Sequence, residues 1–246
     1  MRTIITRPSL QKKCSHLHNT VGNDARKLVA DGYPLEQVVT TDLHQGSLFF
    51  ALMPLDFIAC VVLAEFADLG HKLFRTTRET YPIAFVPGDV FDPKHLDIVS
   101  PVASANTPTS PPEEDPVPDL RSLTSLNPLH GQVSAIHASS LFHFFDEERQ
   151  LHLAHALAGL LSPEPGSVIF GRHVGNHEKG FILPPGHGGR QMFCHSPESW
   201  TELWDGLVFE KGVVTVQVKL VQVETKEPDE PQSRTVTGLV WSVTRL

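Results

Sequence analysis

The clearest pattern of apolar and polar positions lies in residues 131–175. A short β-favouring run at 133–137 precedes residues 146–161, in which apolar side chains recur three and four positions apart, as they do on one face of a helix. Residues 162–166, SPEPG, cannot continue a helix, and residues 167–170 resume the continuous apolar run of a buried strand. The pattern predicts a strand–helix–strand unit with parallel strands.

Two strongly alternating segments lie near the end of the sequence. VVTVQVKLVQVE at 213–224 and TVTGLVWSVT at 235–244 are separated by residues rich in proline and charge, so we expect them to pair as an antiparallel hairpin. Residues 35–41 and 81–87 predict two further strands, each followed by an aspartate. Together these elements predict an α/β fold with a doubly wound, Rossmann-like, mainly parallel sheet and a C-terminal antiparallel hairpin.

Three segments interrupt this pattern. Residues 46–63 are strongly apolar but too short for a membrane helix of about 20 residues, and they contain a proline and an aspartate. They form either an additional core element or, as our sharper hypothesis, an insertion translated from an unspliced intron. Residues 99–118 contain six prolines and predict a surface loop, and residues 1–21 make an atypical N-terminus. We expect a single domain over residues 1–246.

Composition narrows the class of protein. The formal net charge of −8 gives no general attraction for nucleic acid. The three cysteines form no CxxC pair, which favours reduced thiols in the cytosol, and no secretory signal or membrane anchor is evident, so we expect a cytoplasmic protein. His152 and His155 lie one helical turn apart without a third ligand at suitable spacing, so we predict no metal site.

Five motifs, taken in order, carry a resemblance to a known family. The chain resembles class I S-adenosylmethionine-dependent methyltransferases, and more narrowly it is similar to fungal carboxyl O-methyltransferases of meroterpenoid pathways in secondary metabolism. The resemblance covers residues 22–45 and 65–246. The motifs are GDVFDP at 88–93, SLNPLHGQVSAIHASSLFHFF at 125–145, LAGLLSPEPGSVIFG at 157–171, MFCHSPESW at 192–200 and WSVTRL at 241–246.

This resemblance implies S-adenosyl-L-methionine as the cofactor. Asp42 would bind the ribose hydroxyls, a role that its place after a strand also allows, with a plain turn aspartate as the equal alternative. Asp89 would receive the adenine amino group. The implied cofactor-binding set is Gly22, Asn23, Asp42, Asp89, Val90, His137 and Ala138.

The acceptor is expected to be a small molecule. A carboxylate acceptor is already ionised near neutral pH, whereas a phenol or alcohol needs a base, for which His137 and His143 are the candidates. Four apolar residues predict an acceptor pocket, with ordinary core packing as the alternative. They are Phe142, Met192, Phe193 and Trp200.

The beginning of the chain departs from the family pattern. Where the resemblance implies an apolar first strand and a D-x-G-x-x-x-G turn, the sequence has KKCSHLHNTVGND, in which only Gly22 matches. The alternative is therefore a catalytically inactive or truncated methyltransferase-like protein. A nicotinamide oxidoreductase is disfavoured because no G-x-G-x-x-G follows a strand. A homodimer is left open.

Overall fold

The computed structural model describes residues 2–5, 23–43, 70–102, 119–183, 191–225 and 234–246. Seven strands form one sheet in the order β3-β2-β1-β4-β5-β9-β8, and β6 pairs with β7 in a second, two-stranded sheet. The strands are β1 (Arg2–Ile5), β2 (Val38–Leu43), β3 (Ala84–Gly88), β4 (Ala135–His137), β5 (Val168–Val174), β6 (Gly180–Ile182), β7 (Met192–Cys194), β8 (Val214–Thr225) and β9 (Arg234–Arg245).

In the described part of the chain, the sheet is accompanied by the helices α1 (Asn23–Ala30), α2 (Glu147–Leu160) and α3 (Pro197–Trp204), and by a helical turn at residues 70–73. The α2 helix begins where Asp146 accepts a hydrogen bond from the Arg149 N–H, at 2.9 Å. At the start of α3, Ser196 and Ser199 each accept the other's backbone N–H, which forms a capping box. Among the described residues, no helix is long and apolar enough to cross a membrane.

Strand direction decides how the sheet compares with the prediction. β2 pairs in parallel with β3, and β4 with β5. β1 is antiparallel to both β2 and β4, while β9 is antiparallel to both β5 and β8. The α/β class is therefore confirmed, but the sheet is mixed rather than mainly parallel. The two strands of the hairpin, β8 and β9, pair antiparallel over the full length of each.

The direction of β1 is the main departure from the expected sheet. Arg2 lies beside Thr41 and Ile5 beside Val38, so β1 runs against β2. A run of four residues carries no signal for direction, because the connection that follows a strand decides which way it pairs. The D-x-G-x-x-x-G turn that would follow a parallel first strand is absent before α1.

The core lies between the sheet and the helices that cover it. Leu153 and Ala154 of α2 are fully buried and belong to the same cluster as Ile136, Ile169 and Val243 on three strands. Burying an aliphatic side chain of this size stabilises the fold by about 1.5–3 kcal/mol. The helix-spaced apolar positions of α2 therefore attach it to the middle of the sheet.

Some predictions fall on parts of the chain that the structure leaves undescribed. The apolar segment 46–63 lies outside the described residues, and of the proline-rich stretch 99–118 only residues 99–102 are described. The interpretation of 46–63 as an insertion, and of the chain as a single domain, stay predictions.

Candidate functional site

Four strands end at one edge of the sheet. β2, β3, β4 and β5 all run in the same direction, because β1 is antiparallel to both of its neighbours. Their carboxyl ends, at Leu43, Gly88, His137 and Val174, therefore point to a common edge. Ligands of α/β sheets bind beyond such an edge, in the loops that follow the strands. This edge is the candidate site.

His137 ends β4 as a buried residue with its side chain held in place. It is 2% exposed, and its Nε2 forms a 2.7 Å hydrogen bond with Ser139 Oγ. The Arg172 N–H donates to the same hydroxyl at 3.1 Å, and the imidazole stacks on Phe170 with 5.1 Å between ring centroids. Strand β5 therefore fixes the ring of His137. Its predicted role as a base stays a prediction.

His143 lies on the 3₁₀ turn Phe142–Phe144 that follows β4 and is 7% exposed. Its ring is buried between Phe144, at 4.4 Å, and His173, at 6.3 Å between centroids. Sequence reasoning missed His173. The period of two along a strand places His173 on the same face of β5 as Ile169, which is buried, and this spacing is the sequence signal that could have found it.

The turn after β3 carries the two residues predicted to contact adenine. Asp89 is half-buried, and its Oδ1 accepts the Phe91 N–H at 2.9 Å. Val90 is 5% exposed and packs in the main core. Within the described residues, the Asp89 carboxylate accepts no hydrogen bond besides the one from Phe91, so its second oxygen retains acceptor capacity for a ligand.

The ribose side of the predicted site is largely outside the described part. Gly22 lies outside it, as do the side chains of Asn23 and Asp42. The backbone places Asp42 in β2 opposite Pro87 of β3, close to the carboxyl edge. The Asp42 backbone and Asp89 therefore follow neighbouring strands, as their sequence positions predict.

The four predicted pocket residues divide into two groups. Phe142 and Trp200 are 0% exposed and form a cluster with Trp204 and Trp241, in which the Phe142 and Trp200 rings meet edge to face at 4.9 Å. Trp241 donates its indole N–H to Nδ1 of His173 at 3.0 Å. This group is packed as core.

The second group, Met192 and Phe193, lies on β7. Both are buried, and the Phe193 ring meets the exposed Phe181 of β6 edge to face at 5.3 Å. Gln150 of α2 donates through Nε2 to the Phe193 carbonyl at 3.0 Å. This hydrogen bond connects β7 to the helix that crosses between β4 and β5. The assignment of all four residues to an acceptor pocket stays a prediction.

His195, immediately after β7, was not among the predicted site residues. It is 2% exposed, and its Nδ1 forms a 2.9 Å hydrogen bond with Ser199 Oγ. Burial lowers the pKa of His195 to about 4, with a smaller lowering effect from Lys179 and an opposing one from Glu147. The imidazole is therefore neutral near pH 7. Burial also raises the pKa of the neighbouring Cys194 thiol to about 12, so this thiol stays protonated.

The described part of the chain contains no cluster of potential metal ligands. No group of three or more His, Cys, Asp or Glu residues there is arranged to hold a metal ion. The predicted absence of a metal site stays a prediction for the chain as a whole.

The known proteins that are similar to this chain in sequence are fungal methyltransferases by name. No protein-family model matches the chain. The chain is 30% identical over 207 residues to O-methyltransferase phiE of a fungal species, which covers 84% of this chain and 52% of the relative. It is 28% identical over 191 residues to the asnovolin E/chermesin D methyltransferase nvfJ of Aspergillus novofumigatus, covering 78% of this chain and 51% of that protein.

A third relative and one solved structure complete the comparison. O-methyltransferase atr3 of Stereocaulon alpinum is 25% identical over 182 residues, covering 74% of this chain and 39% of its own length. A solved structure described as "Conversion of a Disulfide Bond into a Thioacetal Group during Echinomycin Biosynthesis" aligns at 13% identity with a TM-score of 0.49, covering 92% of this chain and 72% of that one. That TM-score is too low to support a conclusion about function.

All of these relatives are methyltransferases by name. The chain is similar to fungal secondary-metabolism methyltransferases, and the resemblance to that group inferred from its motifs is confirmed. The chain spans about half the length of the first two of these relatives, phiE and nvfJ, since it covers 52% and 51% of their residues.

Proposed function

We propose that the chain is an S-adenosyl-L-methionine-dependent O-methyltransferase that acts on a small-molecule secondary metabolite of a fungal pathway. The observation that carries this proposal is the 30% identity to O-methyltransferase phiE over 84% of the chain. The common carboxyl edge of β2, β3, β4 and β5 supports it, because that edge is where α/β sheets bind nucleotides.

The proposed fold is a variant of the doubly wound, Rossmann-like sheet. Five strands share one direction, and only β1 and β9 are reversed. The reversal of β9 belongs to the terminal hairpin. The reversal of β1 means that its own carboxyl end points away from the site. The carboxyl ends of β2 and β4 lie on either side of it and point toward the site.

The described residues fit the adenine end of the cofactor. The Asp89 carboxylate has acceptor capacity left for an amino group, and His137 and Ala138 lie at the end of β4 on the same edge of the sheet. Asp42, by its position in β2, would hold the ribose hydroxyls. S-adenosyl-L-methionine would supply a methyl group already activated by its sulfonium, so the chain's own contribution is alignment and, for some acceptors, proton removal.

The acceptor is proposed to be a carboxylate or a phenol. A carboxylate oxygen needs no base, whereas a phenol must lose its proton as its oxygen bonds to the methyl carbon. His137 and His143, buried beside the end of β4, are the candidates to take that proton. The name of one relative, an asnovolin E/chermesin D methyltransferase, supports a fungal metabolite as the acceptor.

Calorimetric titration of the full chain with S-adenosylhomocysteine tests the proposal. We expect saturable binding by the wild type and about tenfold weaker binding by Asp89→Ala, because that change removes a charged hydrogen-bond acceptor. The matched control is Asp205→Ala, since Asp205 ends α3 and accepts only the local Gly212 N–H.

Each outcome distinguishes the proposal from its alternative. Wild-type binding followed by methyl transfer to an acceptor in a fungal extract supports the enzyme. If the folded wild type shows no binding at millimolar ligand, the proposal fails for this chain and the catalytically inactive methyltransferase-like protein replaces it. Equal loss in Asp89→Ala and Asp205→Ala would contradict the adenine role of Asp89.

A further inference from the structure

His95 lies in a place that its sequence position did not reveal. It belongs to the turn after β3 and is 5% exposed. Its imidazole packs directly on Gly88, since a Cβ built on that glycine would clash with three atoms of the ring. Gly88 ends β3 and immediately precedes Asp89. The ring therefore lies under the residue that presents the Asp89 carboxylate to the site.

Neither ring nitrogen of His95 has a hydrogen-bond partner among the described residues. A buried donor and a buried acceptor that are left unsatisfied both destabilise the folded protein. Burial lowers the pKa of His95, while the charges of Asp89 and Asp92 oppose that effect. The group is thus a neutral imidazole with unused hydrogen-bonding capacity and two carboxylates close by.

The turn that holds His95 is anchored on its other side. The His95 carbonyl accepts the Leu126 N–H at 2.8 Å, and Asn127 Nδ2 donates to the Pro93 carbonyl at 2.9 Å. The Asp92 carbonyl accepts the His95 N–H at 2.8 Å. The backbone around His95 is therefore fixed from both directions, and the side chain of Asp89 is the part that remains able to change its partner.

We propose that His95 is a positioning residue for adenine: its imidazole N–H donates to the Asp89 carboxylate in the cofactor complex and directs that carboxylate toward the adenine amino group. This inference rests on the proposed function. In the structure described, Asp89 Oδ1 accepts the Phe91 N–H instead. The buried imidazole supplies the donor that the carboxylate takes up when the ligand binds.

The test compares two ligands and three variants of the full chain by calorimetry. S-adenosylhomocysteine carries the adenine amino group, and S-inosylhomocysteine has an oxygen in its place. We expect the wild type to prefer the first by about tenfold or more, the value of one hydrogen bond to a charged group. His95→Leu should lose most of this preference, and His95→Gln, which keeps a donor, should retain it.

Stability provides the readout that separates positioning from packing. His95→Leu removes two unsatisfied polar atoms at similar volume, so its urea midpoint should equal or exceed that of the wild type while its preference for adenine falls. His71→Leu is the matched control, because His71 lies outside the turn after β3, in the helical turn at residues 70–73, and its Nδ1 forms a hydrogen bond with Thr76 Oγ1 at 3.0 Å. That variant should keep the preference.

The outcomes separate this inference from the proposed function. If the wild type binds neither ligand, both fail together. If the wild type prefers S-adenosylhomocysteine and His95→Leu prefers it equally, the proposed function stands and the role of His95 is overturned. Should His95→Leu not fold, ¹⁵N spectra of the wild-type histidine rings replace it: no change in the His95 nitrogens on adding S-adenosylhomocysteine would overturn the proposal.

Discussion

Gly171 allows two strands to approach each other closely at the candidate site. A Cβ at this position would lie 2.5 Å from the Ala138 carbonyl oxygen and 3.1 Å from the Ser139 nitrogen. Both are backbone atoms, which cannot rotate away as a side chain can. The same backbone continues the pairing of β4 along β5, where the Ala138 N–H donates to the Phe170 carbonyl at 2.8 Å. Because Gly171 has no side chain, the residues after β4 can approach β5 this closely.

Gly171→Ala should destabilise the protein by about 1–3 kcal/mol, because it overpacks a backbone contact. It should also weaken binding of S-adenosylhomocysteine, since the Ala138 backbone must shift. The measurements are urea unfolding and calorimetry. Gly212→Ala is the control: its Cβ meets no atom within 4 Å, and only its φ of 82° opposes the change. Because the φ of Gly212 makes some loss of stability expected there as well, binding is the deciding measurement: an equal loss of S-adenosylhomocysteine binding in the two variants would contradict the importance of this close approach.

Some side chains have an environment that could not be predicted from the sequence. Phe142 and Trp200 have the same apolar character as Met192 and Phe193, so composition cannot tell a core aromatic from a pocket aromatic. Only the packing against Trp241 and Trp204 separates them. His95 and His195 were missed for a related reason. Their burial depends on contacts with Gly88 and Ser199, which no local periodicity encodes.

At the scale of elements, α3 and the residue before its cap act together. His195 Nδ1 hydrogen-bonds to Ser199 Oγ, and the same hydroxyl accepts the Ser196 N–H at 3.0 Å to complete the capping box. In the sequence, a serine, a proline and an acidic residue mark the start of this helix. These local signals do not indicate that the cap also fixes a buried imidazole.

This arrangement predicts that acid destabilises the fold through His195. The unfolded chain takes up a proton near the ordinary pKa of 6.5, whereas burial lowers the pKa of the folded residue to about 4. The contribution of His195 to the free energy of unfolding is therefore fully present above pH 6.5. It is lost as the pH drops toward 4, which lowers the free energy of unfolding by about 3 kcal/mol. Urea unfolding at pH 7 and pH 4 should show that loss.

His195→Gln isolates this contribution, because glutamine has no charge at either pH. The difference in unfolding free energy between wild type and variant should shrink or reverse on going from pH 7 to pH 4. His177→Gln, at an exposed residue, provides the control for histidine replacement. A parallel pH dependence of wild type and His195→Gln would show that His195 is not the group responsible.

At the scale of the whole molecule, the centre of the sheet is the part that differs most from the prediction made from the sequence. The unit from β4 to β5 and the terminal hairpin follow from periodicity, because each is specified by residues close together in sequence. β1 is different. It lies between β2 and β4, and its direction depends on a connection that contains no turn signal of the expected kind. Long-range pairing of a short strand is the information that periodicity lacks.

The central position of β1 predicts strong protection of its amides from hydrogen exchange. Residues 3–5 pair with β2 on one side and β4 on the other, so they should exchange only through large openings of the sheet. Mass spectrometry of N-terminal peptides measures this. Ile4→Pro, which removes a ladder donor, should abolish the protection and lower the urea midpoint. Rapid exchange in the wild type would contradict the placement of β1.

The place of β9 also bears on how the protein is made. β9 is the last described strand in sequence, yet it lies inside the sheet between β5 and β8. Until residues 234–245 leave the ribosome, the nascent chain has an open edge at β5 and an alternating strand, β8, with no neighbour in the sheet. Such unpaired edges invite association between chains. Slow translation of this last segment should therefore increase the dependence of the protein on chaperones.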